Sequence, residues 1–228
     1  MGFLILTGDL AALPEPVRGT RRAIRTIGSV SVPSRVEAIS ILLELDPPDW
    51  LVEHSTAVAE VAAFLAARIA ERGTTLDRAL VEAAALVHDV DKALPDTHPL
   101  LKLGHGAAGA AWLTNRGHAE LAPAVAHHPV KVLGDEAVYR EWAATASLEE
   151  QVVAYADKRA RQNVVTLEER FRSWQVRHPE RDESMRMARR RAELLESQVC
   201  ALAGLAATEV ERMSWVDEAM QAFTGPAR

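Results

Sequence analysis

Ala83-Ala84-Ala85-Leu86-Val87-His88-Asp89-Val90-Asp91-Lys92 is the stretch that decides the fold, because five apolar residues run straight into a histidine–aspartate pair. Alanine and leucine are strong helix formers, and no glycine or proline interrupts the run. The spacing predicts a helix from Leu76 to Val90, with Asp77 in its first turn. A buried carboxylate needs a cation or several donors around it. Two readings follow: His88 and Asp89 end a helix in solvent, or they sit inside the molecule around something positively charged.

Working outward, the same anomaly returns. His54 lies on the stripe Leu51, Val58, Val61, Leu65 and Ile69, at three- and four-residue steps, so the helix Trp50–Arg72 turns it inward. Alone it reads as a core histidine held by a hydrogen bond. Asp157 follows the apolar run Val152-Val153-Ala154-Tyr155-Ala156 within a helix predicted from Ser147 to about Val164. Ser147 and Glu150 form a capping-box pattern at its start. The bland account of Asp157 is an ion pair with Lys158 or Arg161. His105 opens a helix (Gly104–Asn115) among three glycines, Gly104, Gly106 and Gly109, which permit close backbone approach. His127 and His128 end the run Ala124-Val125-Ala126 before Pro129.

Together these residues make a ligand set. Imidazole nitrogens and carboxylate oxygens bind divalent iron and manganese, and also zinc, nickel, cobalt or magnesium. The one cysteine, Cys200, excludes a thiolate cage and an internal disulfide. His54, His88, Asp89 and Asp157 would hold one ion. His105 with His127 or His128 would complete a second, with Asp89 as the natural bridge.

The rest of the chain reads as all-α. Further helices are expected over Arg35–Leu45, Ala119–His127, Leu167–Val176, Glu183 to about Leu202, and a last one to Phe223. No strand or repeat is evident. Residues 1–33 read as an N-terminal arm carrying Arg18, Arg21, Arg22 and Arg25; residues 34–165 as the metal-binding helical domain; and residues 166–228 as a helical extension packed on it. The formal charge of −6 over 228 residues argues against nucleic acid as a partner. No run approaches the length of a membrane span, and Phe3–Leu6 is too short for a signal peptide. A cytoplasmic protein is expected. Trp112, Trp142, Trp174 and Trp215 read as packing residues.

The order His54, His88-Asp89, Asp157 resembles the signature of the HD superfamily. His88-Asp89-Val90-Asp91-Lys92 resembles its His-Asp-Ile-Gly-Lys form, His54-Ser55-x-x-Val58-Ala59 its first ligand helix, and Tyr155-Ala156-Asp157 its last; the resemblance covers Trp50 to Asn163. His105-Gly106-x-x-Gly109-Ala110 is similar to an element of the bacterial HD-domain diadenosine tetraphosphate hydrolases. In those a single histidine stands where His127-His128 stands here, and His128 suits that position better. The resemblance implies an HD-type helical bundle with additional C-terminal helices, and a metal-dependent phosphohydrolase acting on a nucleotide or dinucleotide. In such a site Asp89 would be the bridging acid, Lys92, one helical turn after His88, would be catalytic and meet a phosphate oxygen, and Lys131 and Arg161 are further candidates for phosphate contacts. Asp91 would orient a ligand histidine. The rival readings are an HD-type di-iron oxygenase and a nucleotide sensor that binds without turnover. The charged C-terminal helices leave room for a homodimer.

Overall fold

Capping chemistry sets where the helices begin. Ser34, Ser147 and Thr166 each accept a hydrogen bond from the backbone N–H three residues on, while Glu37, Glu150 and Glu169 reach back to the cap. A computed structural model describes residues 31–211 and residue 213 of the chain. Among these the architecture is all-α, and the only extended pairing is an isolated bridge between Ala160 and Val164. The cluster Arg18–Arg25 and the last helix to Phe223, with Trp215, lie outside the described residues.

Helix α1 (Arg35–Leu43) leads through the Asp46 turn to the long α2 (Asp49–Glu71), followed by α3 (Arg78–Val87). A 3₁₀ turn, Val90–Ala93, then bends the chain away. Helix α3 therefore stops before Val90, which places Asp89 at a helix end with backbone angles outside the helical range. After α4 (Ala107–Asn115) come the short α5 (Ala122–His127) and α6 (Val130–Gly134), then α7 (Glu136–Thr145), α8 (Leu148–Lys158), α9 (Leu167–Arg177) and α10 (Asp182–Ala203). A last short turn, α11 (Ala207–Val210), closes the described chain.

Besides the early end of α3, helices α6 and α7 form where the sequence predicts none, and α8 is shorter than predicted. Helix α7 is capped by Asp135, which accepts from the N–H groups of Ala137 and Val138, yet it buries only Trp142. A helix with one buried residue leaves no apolar stripe to read. Helix α8 ends at Lys158 instead of Val164, because Arg161 and Val165 turn back to bond the chain at Asn163 and Arg159.

The core is built mainly from alanine and branched aliphatics. Leu51, Val58, Val61, Leu65 and Ile69 of α2 are all buried, as are Ala83 to Val87 of α3. Each large aliphatic side chain taken out of water contributes about 1.5–3 kcal/mol before entropy is counted. Small alanine faces let α2, α3 and α8 approach one another closely, and α10 packs over α2, α6 and α8. That close approach brings polar side chains from separate helices to one point. No described helix is long and apolar enough to cross a membrane.

Candidate metal centre

At the junction of α2, α3, α5 and α8 the core contains His54, His88, Asp89, His128 and Asp157, each buried. His105, at the turn before α4, joins them with a side chain 36% exposed. These residues come from five stretches of chain, so only the fold assembles them.

Every histidine is held by its Nδ1. In His54 that nitrogen lies 2.8 Å from the Arg161 carbonyl oxygen, in His88 2.7 Å from that of Ala85, and in His128 2.7 Å from that of Val125. A carbonyl can only accept, so each Nδ1 carries the hydrogen and each Nε2 keeps a free lone pair when the ring is neutral. His105 Nδ1 donates in the same way to Asp91 Oδ2 at 2.9 Å. The Gly106 N–H donates to the same oxygen.

The Nε2 atoms converge. Those of His54 and His88 are 3.2 Å apart, as are those of His105 and His128. Lone pairs at that separation repel unless a positive charge lies between them. Asp89 divides the two pairs: its Oδ2 lies 3.4 Å from both His54 and His88, and its Oδ1 lies 3.3 Å from His105 and 3.2 Å from His128. Asp157 Oδ1 completes the first group at 3.3 Å from His54. Asp89 Oδ1 accepts no hydrogen bond despite full burial, which is costly without a cation.

The carboxylates draw positive charge from the groups around them. Burial opposes the charge on Asp89 and Asp157, but His88 beside the first and Lys158 beside the second hold both carboxyls well below the ordinary range. Burial also opposes protonation of His54, yet hydrogen bonds to Asp157 and Asp89 push it up to about 9. Burial takes His128 down to about 3, against the pull of Asp89. Two buried carboxylates thus call for positive charge, and nitrogen donors without thiolates suit a divalent ion of the iron, manganese or zinc kind. The donor set fits such an ion.

Lys158 and Arg170 brace the site from behind. Buried Lys158 donates to Asp157 Oδ2 at 3.0 Å and to the His128 carbonyl, while Arg170 donates to Asp157 Oδ1 at 3.1 Å. Lys158 thereby ties α8 to the turn after α5. Gly106 has φ +83°, and a Cβ there would stand 2.6 Å from Pro129 Cγ and 2.9 Å from the Ala126 carbonyl.

The other candidates fall as follows. His127 does not join the cluster: its ring points away and pairs with Glu150 at 2.7 Å, so of the two adjacent histidines only His128 faces Asp89. Lys92 stands 2.6 Å from Asp89 Oδ2 at the edge of an open cavity of about 280 Å³, and Lys131 lines the same cavity. Arg161 does not line it; its backbone carbonyl orients His54, and its side chain is exposed. The cavity wall holds Arg170, Trp174, Arg177 and Arg181 instead. These were illegible in sequence, since arginines on a charged helix look like any solvated face. Buried Lys158 was likewise hidden, although a lysine following a buried aspartate carried some signal.

Residues 51–162 match the family model of the HD domain. The chain carries an HD domain. That domain is the hallmark of a superfamily of metal-dependent phosphohydrolases, and its matched span holds every residue of the histidine–aspartate cluster. No curated protein and no solved structure matches the chain significantly.

Proposed function

We propose that this HD protein is a dinuclear phosphohydrolase cleaving a phosphoester or phosphoanhydride in a nucleotide or dinucleotide. The observation that carries it is the division of Asp89, whose two oxygens each face a separate pair of histidine nitrogens. His54, His88 and Asp157 would hold one ion and His105 and His128 the other, with Asp89 shared. Bound there, the ions would supply Lewis acidity and a hydroxide at neutral pH.

The protein's own groups do the rest. Nδ1 hydrogen bonds fix each ring in one tautomer, so no reorganisation is needed when charge develops. Lys92, one-third exposed beside Asp89 and lining the cavity, would meet a phosphoryl oxygen entering it. The open side of His105 would give that oxygen its path in.

The test is elemental analysis of protein purified without chelator, beside a His88→Ala/Asp89→Ala variant. Both are assayed for phosphate release from a nucleotide panel with manganese or iron. About two ions per chain, lost in the variant together with hydrolysis, is the expected result. Metal-free protein, or iron-dependent oxygen uptake without phosphate release, overturns the proposal.

A further inference from the structure

Helix α10 is apolar on two sides. Its inner side, with Ala192, Leu195, Val199 and Ala203, is buried against the body of the protein. The outer side of such a helix is ordinarily polar. Glu183, Arg186, Glu193 and Ser197, all exposed, keep to that rule. Leu194 does not: it stands across the helix from Val199 and Ala203 and is 57% exposed. Met187 and Ala201 lie one heptad before and after it, the first half-buried and the second exposed. The three form an apolar seam along the outer side. A single exposed leucine is ordinary, but a seam in register is the mark of a contact.

Charge and shape together select what covers the seam. Arg190 lies on it between Met187 and Leu194, and has no acidic partner among the described residues. A parallel copy of α10 would set Arg190 against its own counterpart. An antiparallel copy, turned about a twofold axis at Leu194, sets it against Gln198, whose amide oxygen accepts from a guanidinium. In that register Leu194 meets Leu194 and Met187 meets Ala201, large against small. The seam is thus complementary to itself, as an interface between two like chains has to be. Beside it, between α7 and α10, lies a cavity of about 460 Å³ lined by Gln198, Ala201 and Leu202, and by Tyr139, Trp142 and Ala143 of α7. No acid lines it among the described residues, and Arg191, which does, is already bound to Glu136 and the Leu133 carbonyl. Antiparallel pairing brings Met187 of the partner subunit to Ala201, at the edge of this cavity, where an adaptable thioether side chain finds apolar walls.

We propose that the outer side of α10 is a homodimer interface, in which two copies pack antiparallel about Leu194 and each Met187 seats in the other chain's α7–α10 cavity. The contact takes nothing from the metal centre, so it stands or falls apart from the phosphohydrolase reading.

The test is sedimentation equilibrium of the full 228-residue chain over a range of concentrations. A reversible dimer is expected at micromolar concentration. Leu194→Glu sets like charges face to face at the axis and should weaken the dimer by at least about 100-fold. Because Leu194 points away from the core, dilute variant and dilute wild type should melt at the same temperature. Register is read by cross-linking under a mild oxidant, with the wild type, whose one cysteine is buried, as the blank. Leu194→Cys should give a covalent dimer, as should Met187→Cys mixed with Ala201→Cys, whereas Arg190→Cys alone should not. A chain that stays monomeric, or a dimer that Leu194→Glu leaves intact, overturns the interface. Efficient self-linking of Arg190→Cys overturns the antiparallel register. A monomer that Leu194→Glu makes less stable would show the seam covered from within one chain, which overturns the interface as well.

Discussion

The two sides of Asp89 are built differently. Towards Oδ2, His54, His88 and Asp157 have side chains no more than 6% exposed, and Lys158 and Arg170 clamp Asp157 from behind. Towards Oδ1, His128 is equally buried, but His105 is 36% exposed and its only orienting partner is Asp91. The Oδ2 side is the more enclosed, although Lys92 and Asp157 reach the cavity, and the Oδ1 side is the more open. The closed side suits permanent retention of an ion, the open side exchange of water and substrate. A dry, fully braced pair of cages would hold metal well and admit nothing.

The largest effect should come from the shared residue. Asp89→Ala removes the link between both sides, and metal content and hydrolysis should vanish together, with a loss of at least about a thousandfold in kcat/KM. Next, His105→Ala should lower metal from about two ions per chain towards one, read by elemental analysis, while His88→Ala empties the closed side too. If both variants lose metal equally, the asymmetry is wrong. A subtler break is Asp91→Asn, which removes the charge from the acceptor that orients His105. It should weaken the outer ion by about 10- to 100-fold in a metal titration and leave the inner one unchanged. The smallest effect belongs to His127→Ala, which breaks a part-buried pair with Glu150. It should cost no more than about 1 kcal/mol by denaturant unfolding and leave metal content as it was.

Legibility followed the same division. The closed side could be read from sequence, because a charged residue on an apolar helix face contradicts its surroundings, and His54, His88, Asp89 and Asp157 all do so. The open side was only half legible. Gly104, Gly106 and Gly109 marked His105, but nothing in His127-His128 says which ring turns inward; that depends on where α5 ends against α8. The cationic wall was not legible at all. Arg170 and Arg177 belong to a helix whose polar pattern is that of a solvated surface, and only the packing of α9 beside the cluster gives them a task. Helices α2, α3 and α8 announced themselves by apolar periodicity. Helices α6 and α7 did not, the first being too short to show a period and the second burying a single tryptophan. Its Asp135 cap was the one usable sign.

Gly106 binds nothing, donates only a backbone N–H to Asp91, and lies beside the cluster without being a ligand to it. Its left-handed backbone and the proline against its missing side chain leave room for a hydrogen atom and no more. In a library carrying every amino acid at each position, selected for growth on the protein's activity, this codon should therefore return glycine alone. Exposed Lys92 should meanwhile tolerate arginine. The strictest position in the molecule would then be one that no list of chemical roles contains.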